Sequence, residues 1–238
     1  MRGLLTRGPS ALSWQVRYTL NQVQGFERVL NLHGFSLRHF RSILEFGCGF
    51  ARLTEPMANL APQAEIHGCD VSPRDLRRAR RRCPRGRFIV NQVTPPLPYS
   101  NAQFDFIFSY SVFTHLTEEN HRGWLRELSR ILAPGGVMVH TTHSYRALRQ
   151  MGLFSPQSLA KYRLGGAVEE FIVSRKGYHY ALWEPSQPEY GLSILSKEYV
   201  LENWPRVSGL ALVDYVEDAV QAFPEGCQDM VLLQKRNG

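Results

Sequence analysis

Ile43-Leu44-Glu45-Phe46-Gly47-Cys48-Gly49-Phe50-Ala51-Arg52-Leu53 is the stretch on which the rest of the chain turns. It reads as a short buried strand, a glycine turn, and a helix opening at Ala51. Glycines at 47 and 49 let the backbone approach a bound group closely, and the N-terminal end of the following helix is electropositive. Glu45 stands at the end of the strand. A second acid, Asp70, ends the next apolar run, Ile66-His67-Gly68-Cys69-Asp70. A glycine turn with an acid at each of two strand ends describes a pocket for a nucleoside-bearing cofactor, because a carboxylate there can accept bonds from both hydroxyls of a ribose. The dinucleotide fingerprint G-x-G-x-x-G is incomplete, since Arg52 occupies its third glycine position. Each feature also has a plainer alternative: a tight strand-to-helix turn for the glycines, a buried acid for Glu45, and a turn aspartate before Ser72 for Asp70.

Working outward, the chain alternates strand and helix. Val16, Leu20, Val23 and Leu30 recur at helical spacing between Ser13 and Leu30, and Gly34 can end that helix. A short helical piece is expected from Ser36 to Phe40. Strands are expected at Ser42 to Phe46, Glu65 to Cys69, Arg87 to Val90, Phe104 to Ser109 and Val137 to Thr141. Helices are expected from Ala51 to Leu60, with Pro56 in its first turn or at a kink, from Ser72, and from Glu118 to Leu132. Ser72 and Thr117 are good N-caps, and Pro73 suits the first helical position. The continuous apolar run 104–109 indicates a strand buried on both faces. Ser196 to Trp204 reads as a helix, and Ala211 to Val216 with Met230 to Gln234 as a closing pair of strands. The expected architecture is α/β: a Rossmann-like, seven-stranded, mostly parallel sheet with helices on both faces and an antiparallel last strand. Residues 1–41 form an N-terminal helical extension, and 42–238 one domain with a lid or acceptor insertion at about 145–205. In such sheets a ligand sits beyond the carboxyl ends of the strands, where strand order reverses.

The 238 residues, 43% of them hydrophobic, suffice to bury a substantial core. A formal net charge of +7 favours anionic partners: acidic substrates, nucleic acid or a charged surface. Four cysteines (48, 69, 83 and 227) with no C-x-x-C pair fit reduced thiols in a cytoplasm better than a disulfide framework or a zinc site. No metal site is expected. No apolar run approaches the roughly 20 residues that span a bilayer. Arg7 interrupts what would be a signal-peptide apolar core. The early arginines 2, 7 and 17 before the first acid, Glu27, also suit an organellar transit peptide, but Trp14 to Leu30 already has a folded-helix pattern.

Glu45-Phe46-Gly47-Cys48-Gly49 resembles the first motif of the class I S-adenosylmethionine-dependent methyltransferases. The resemblance continues through Asp70, Pro95-Pro96-Leu97-Pro98, Phe104-Asp105-Phe106-Ile107-Phe108-Ser109, Ser111-Val112-Phe113-Thr114-His115-Leu116 and Leu132-Ala133-Pro134-Gly135-Gly136. It covers roughly residues 42–143. Ala51 departs from the glycine common there. The resemblance implies S-adenosylmethionine as cofactor, with Glu45, Gly47, Cys48 and Gly49 along its methionine part, Asp70 on the ribose, and Val71 on the adenine. It further implies Gln92 at the adenine edge and Ser109 with Tyr110 and Val112 flanking the cofactor. The Asn91-Gln92-Val93 loop lacks the family's usual Gly-Asp pair. The implied reaction is methyl transfer to an oxygen or nitrogen of a small-molecule or glycan acceptor of the kind bacterial relatives use.

Methyl transfer needs alignment and exclusion of water, and a base where the nucleophile is a hydroxyl. His115, after the fourth strand, is the first candidate base and His143 the second, with His140 beside it. The alternative for each is a structural histidine. Aromatic residues His179, Tyr180, Trp183 and Tyr190 either wall an acceptor site or pack a lid. Arg74, Arg77, Arg78, Arg80, Arg81, Arg82, Arg85 and Arg87 make a basic cluster that either tracks phosphates or is a solvated helix face. It leaves two rival readings: a nucleic-acid methyltransferase using residues 74–87, which is not favoured, and a non-catalytic S-adenosylmethionine-binding module. A nicotinamide-dependent oxidoreductase is disfavoured by Arg52.

Overall fold

The computed structural model describes residues 9–150, 157, 160, 177–182, 186–221 and 227–237. Helix α1 (Pro9–Leu32) and one 3-10 turn (Leu37–His39) lead into β1 (Ser42–Phe46), α2 (Thr54–Leu60), β2 (Glu65–Asp70), α3 (Pro73–Arg82) and β3 (Arg87–Val90). Next come β4 (Phe104–Ser109), α4 (Glu118–Ile131), β5 (Leu132–Thr142) and α5 (Tyr145–Gln150). After them lie β6 (Tyr178–Leu182), β7 (Gly191–Leu195), α6 (Lys197–Ser208), β8 (Ala211–Gln221) and β9 (Cys227–Gln234). Most of 151–176 and Trp183-Glu184-Pro185, parts of the expected lid, lie outside the described residues, as do residues 1–8.

Seven strands form one sheet in the order β3-β2-β1-β4-β5-β9-β8. Pairings among β1 to β5 are parallel, and β9 runs antiparallel to both β5 and β8. Strand order reverses between β1 and β4, which places the ligand-binding edge at their carboxyl ends. Strand β4 is apolar on both faces because both are covered. Phe106 and Phe108 join Phe26 of α1, Met57 of α2 and Leu76 of α3 on one side. Phe104 and Ile107 join Trp124 of α4 and Trp204 of α6 on the other. Caps fix where the helices start: Ser72, Thr117 and Ser196 each accept the backbone N–H three residues on. β6 and β7 form a separate antiparallel hairpin.

Four expectations need correction. Helix α2 opens at Thr54, three residues later than expected, because the chain stays in left-handed backbone through Gly47 (φ 74°), Gly49 (φ 51°) and Ala51 (φ 61°). Pro56 then falls in the first turn, where its missing N–H costs nothing. On α1 the inward face is Val23, Phe26, Val29 and Leu30, while Val16 (54%) and Leu20 (49%) are exposed. Gly25 sets that rotation, because its bare face lies against the Ala219 carbonyl and Val220 of β8. Strand β5 begins at Leu132, taking in Pro134-Gly135-Gly136, with a register irregularity opposite Phe104 and Phe106.

The fourth concerns the basic cluster, which is not one solvated face. Arg78, Arg82 and Arg87 pair with Asp75, Glu55 and Glu65. Arg80 donates to the Phe88 carbonyl. Arg85 spans the α2–β2 connection, donating to the carbonyls of Ala58 (2.9 Å), Ala61 (3.2 Å), Pro62 (3.2 Å) and Ala64 (2.6 Å). Arg85→Ala is therefore expected to lower unfolding free energy by about 1–2 kcal/mol, less than the sum of its charge-assisted bonds because water reaches the freed carbonyls. Urea denaturation measures it, and Arg77→Ala, with no such bonds, should change stability by less than about 0.5 kcal/mol.

Candidate active site

A cavity of about 640 Å³ opens at the carboxyl ends of β1, β2, β3 and β4. Gly47 follows β1, Asp70 and Val71 end β2, and Asn91 and Val93 follow β3. The loop after β4 supplies Tyr110, Ser111, Val112, His115 and Leu116, and the turn 186–190 before β7 closes the far side.

Asp70 organises the floor. One carboxylate oxygen accepts the Gly49 N–H (2.8 Å) and the other the Ser72 N–H (2.8 Å). The Gly47 and Cys48 amides meanwhile donate to the Cys69 carbonyl at 2.9 and 3.0 Å. The turn after β1 is thus fastened to the end of β2. Gly47 must be glycine twice over: its φ is positive, and a Cβ would run into the Val112 side chain.

His115 belongs to the cavity wall and is held from two directions. Its ring Nδ1 lies 2.8 Å from the Gly191 carbonyl, and its own carbonyl accepts the Gly191 N–H at 3.1 Å. A carbonyl can only accept, so Nδ1 carries the proton and Nε2 keeps the lone pair. Burial holds the ring's pKa below the ordinary 6.5, against the pull of that carbonyl. Tyr190 stacks on it, with ring centroids 4.8 Å apart. Trp124 reaches the cavity from α4 and donates to the Val93 carbonyl at 3.0 Å.

Of the residues singled out in the sequence, Gly47, Asp70, Val71 and His115 are in the cavity wall, with the flanking Tyr110 and Val112. Glu45, Cys48, Gly49, Gln92, Ser109 and His143 stand outside it. Glu45 turns into the core, where Thr54 Oγ1 donates to its carboxyl. Burial pushes that carboxyl up to about 8, with the Thr54 bond and Arg52 pulling the other way. Cys48 is buried, its thiol facing the Gly49 carbonyl and its pKa raised by burial. Ser109 is fully buried and bonds His140 Nδ1 at 2.8 Å. His143 is buried beside Gln228 (3.1 Å), and desolvation lowers it to about 3, so it stays neutral at any ordinary pH. Gln92 is exposed, whereas its neighbour Asn91 is buried in the wall with Oδ1 lacking a hydrogen-bond partner.

Asn91 and Val93 flank the expected Gln92, whereas Trp124 and Ser186 to Glu189 carry no local signal that would have marked them. Only Asn91, a polar residue at the end of the β3 run, could have been inferred. Of the aromatic group, Tyr190 lines the cavity. Tyr180 supports the turn through Pro188, its hydroxyl donating to that carbonyl at 2.8 Å. Trp183 lies outside the described residues.

Residues 43–136 match the family model described as "Methyltransferase domain". A malonyl-[acyl-carrier protein] O-methyltransferase of Halorhodospira halophila is 31% identical over 116 residues, 48% of this chain and 38% of that protein. A demethylmenaquinone methyltransferase of Tropheryma whipplei is 36% identical over 98 residues, 41% of this chain and 39% of that protein. The match thus spans well under half the length of these relatives. Among solved structures, a methyltransferase from Methanosarcina mazei superposes with a TM-score of 0.62 at 15% identity, over 87% of this chain and 98% of that one. The Burkholderia thailandensis 1,6-didemethyltoxoflavin-N1-methyltransferase superposes with a TM-score of 0.60 at 13% identity, over 100% of this chain and 93% of that one. The strand order and the turn at Gly47 to Ala51 agree with the methyltransferase-domain match over residues 43–136 and with the fold of the superposed methyltransferases.

The buried Glu45 generates a pH-dependent prediction. Its folded pKa of about 8 exceeds the ordinary 4.5 of a glutamate, so the folded state keeps a proton that the unfolded chain releases between those values. Its contribution is complete below about pH 4.5 and declines as pH rises toward 8. Glu45→Gln keeps an acceptor for Thr54 and removes the titration. The variant's stability relative to the parent should improve from pH 5 to pH 8 by on the order of 1–3 kcal/mol in urea titrations. An equal difference at both pH values would rule out a neutral Glu45.

Proposed function

We propose that the cavity holds S-adenosylmethionine and that the protein moves its methyl group to an oxygen, or a nitrogen, of a small-molecule acceptor, with His115 as the base. The observation carrying this reading is one cavity that joins the Asp70–Asn91 side, from β2 and β3, to a neutral, oriented His115 from the loop after β4. The relative named for O-methylation supports oxygen as the atom methylated. The cofactor, when bound, supplies a methyl group already activated on a sulfonium centre.

The remaining work falls to this chain's own groups. Each Asp70 oxygen takes one backbone amide and retains lone-pair capacity, which suits the two hydroxyls of a ribose. Asn91 Oδ1, buried and unpartnered, suits an exocyclic amine, while Val71 and Val93 offer apolar faces for a flat ring. The Gly47 to Gly49 backbone gives close approach for the amino-acid part. Glu45, Cys48 and Ser109 shape that floor from behind it, and Gln92 contributes through its backbone carbonyl, which holds the Asn91 amide at 2.7 Å. His115 Nε2 takes a proton from the attacking group. His143, held neutral beneath the loop, supports that loop through Gln228. The closing turn at 186–190 keeps water from the reacting atoms. A nucleic-acid acceptor draws less support, because five of the eight clustered arginines are engaged inside the molecule.

Asp70→Ala is expected to weaken binding of S-adenosylmethionine by on the order of 2–3 kcal/mol in calorimetric titration, and unchanged affinity would remove Asp70 from the ribose role. His115→Gln is expected to leave that affinity within a few-fold while cutting methyl transfer to hydroxylated acceptors by roughly 10²–10⁴. The parent's rate should fall in acid only below pH 6.5, the ordinary value under which burial holds this histidine. The glutamine variant should lack that acid limb.

A further inference from the structure

We propose that Tyr190 is a positioning residue for His115: its ring and the carbonyl of the residue that follows it, Gly191, together fix the direction in which His115 Nε2 points. The bond between His115 Nδ1 and the Gly191 carbonyl, at 2.8 Å, holds one edge of the imidazole. A single hydrogen bond leaves a ring able to rock about the N–H···O line. The Tyr190 ring removes that freedom, because it lies 4.8 Å from the imidazole, centroid to centroid, at an interplanar angle of 27°. One contact holds an edge of the ring and the other holds a face. Two consecutive residues supply both, and Nε2 is aimed by the pair.

A positioning pair works only if it is itself held still. The Tyr190 N–H donates to the Gln187 carbonyl at 3.1 Å, and the Gly191 N–H to the His115 carbonyl at 3.1 Å. Glu189 accepts from Asn120 of α4 at 2.7 Å, and the Pro188 carbonyl from the Tyr180 hydroxyl at 2.8 Å. Two residues further on, the Ser193 N–H donates to the Thr114 carbonyl at 2.8 Å. Gly191 lets β7 come this close to β6, since a Cβ there would run into the Ala181 carbonyl and the Tyr180 ring. Tyr190 is 46% exposed, so its outer face packs no core, and what its inner face covers is His115. The pair also lies outside residues 43–136, where the methyltransferase-domain match ends. The orienting element is therefore brought to the cavity by the β6–β7 hairpin and not by the matched region. That His115 is a base rests on the proposed function; the orientation of its ring does not.

The test reads the His115 tautomer in the whole chain by two-bond nitrogen–proton correlation NMR at pH 8, where burial keeps the ring neutral. Its signal, one of eight histidines, is assigned by its loss in His115→Gln. The parent should show the Nδ1–H form alone, because the Gly191 carbonyl accepts that proton. Tyr190→Phe keeps the stack and should keep that pattern. Tyr190→Leu fills similar space without a flat face, and the Nε2–H form should appear beside the first. Gly191→Ala displaces the carbonyl and should bring in the Nε2–H form as well. A parent pattern in Tyr190→Leu or in Gly191→Ala overturns the proposal, as does a parent that already mixes the two forms. So does a phenylalanine variant that loses the pattern, since the hydroxyl and not the stack would then hold the ring. Equal urea midpoints for the parent and the two Tyr190 variants, expected at so exposed a position, separate a released ring from a damaged fold. Calorimetry with S-adenosylmethionine separates the two readings. Cofactor binding together with an unmoved tautomer in Tyr190→Leu sinks only the positioning role. A tautomer locked in the parent and released in Tyr190→Leu, without cofactor binding, sinks only the methyltransferase reading.

Discussion

Everything at the carboxyl edge of the sheet depends on where the Asp70 carboxylate sits. Its two oxygens hold Gly49 from the turn after β1 and Ser72 from the turn into α3. These amides belong to connections that would otherwise be free to adopt several conformations. Charge-assisted bonds to both set the depth of the glycine turn, and the Cys69 carbonyl fixes its other side. The left-handed backbone at Gly47, Gly49 and Ala51 is tolerated because these anchors over-determine it. One carboxylate thus builds the floor of the cavity before any ligand arrives.

Beneath the opposite wall lies a second layer of polar groups, reached through the half-buried Ser111 and otherwise buried. The Ser111 N–H donates to Thr141 Oγ1 at 2.8 Å, and the Ser111 hydroxyl accepts from Gln228 at 3.0 Å. Gln228 also reaches His143, and Ser109 reaches His140. Ser111 is left-handed (φ 58°), an uncommon state for a residue with a Cβ, and these bonds compensate for it. The histidines in this layer, with His121 bonded to the Phe113 carbonyl at 2.6 Å, are held neutral near pKa 3 by burial. They behave as hydrogen-bonding core residues. His115 differs in standing at the cavity itself and in having one nitrogen committed to a carbonyl.

How legible this was in the sequence follows from the range of each interaction. Strands β1, β3 and β4 and the starts of α3 and α4 could be read to the residue, and the start of α6 to within one, because apolar runs and N-caps act within a few positions. The helix-like string after Gly49 misled, since the turn at Gly47 to Gly49 is fastened to Cys69 and Asp70 of β2 and the chain is still left-handed at Ala51. Glu45 resembled a ligand group for the same reason: its partner, Thr54, is close in sequence, but its burial comes from the whole core. Of the 186–190 turn only Tyr190 stood out in the sequence. The turn faces the cavity only because Gly191 and Ser193 bond back to His115 and Thr114, a pairing that joins segments more than 70 residues apart. Choosing between Asn91 and Gln92 required knowing which way the chain turns after β3.

The division of labour among the eight arginines shows why composition alone is a poor guide to partners. A net charge of +7 suggests a polyanion, yet most of the cluster stabilises α2, β2 and β3. Of the eight, Arg74, Arg77 and Arg81 on the outer face of α3 make no ion pair among the described residues. A fold that satisfied every charge internally would leave a mouth lined by valines and nothing to orient it. The three arginines free of ion pairs on α3 follow closely on Val71 of the cavity wall, so their field acts on whatever enters there.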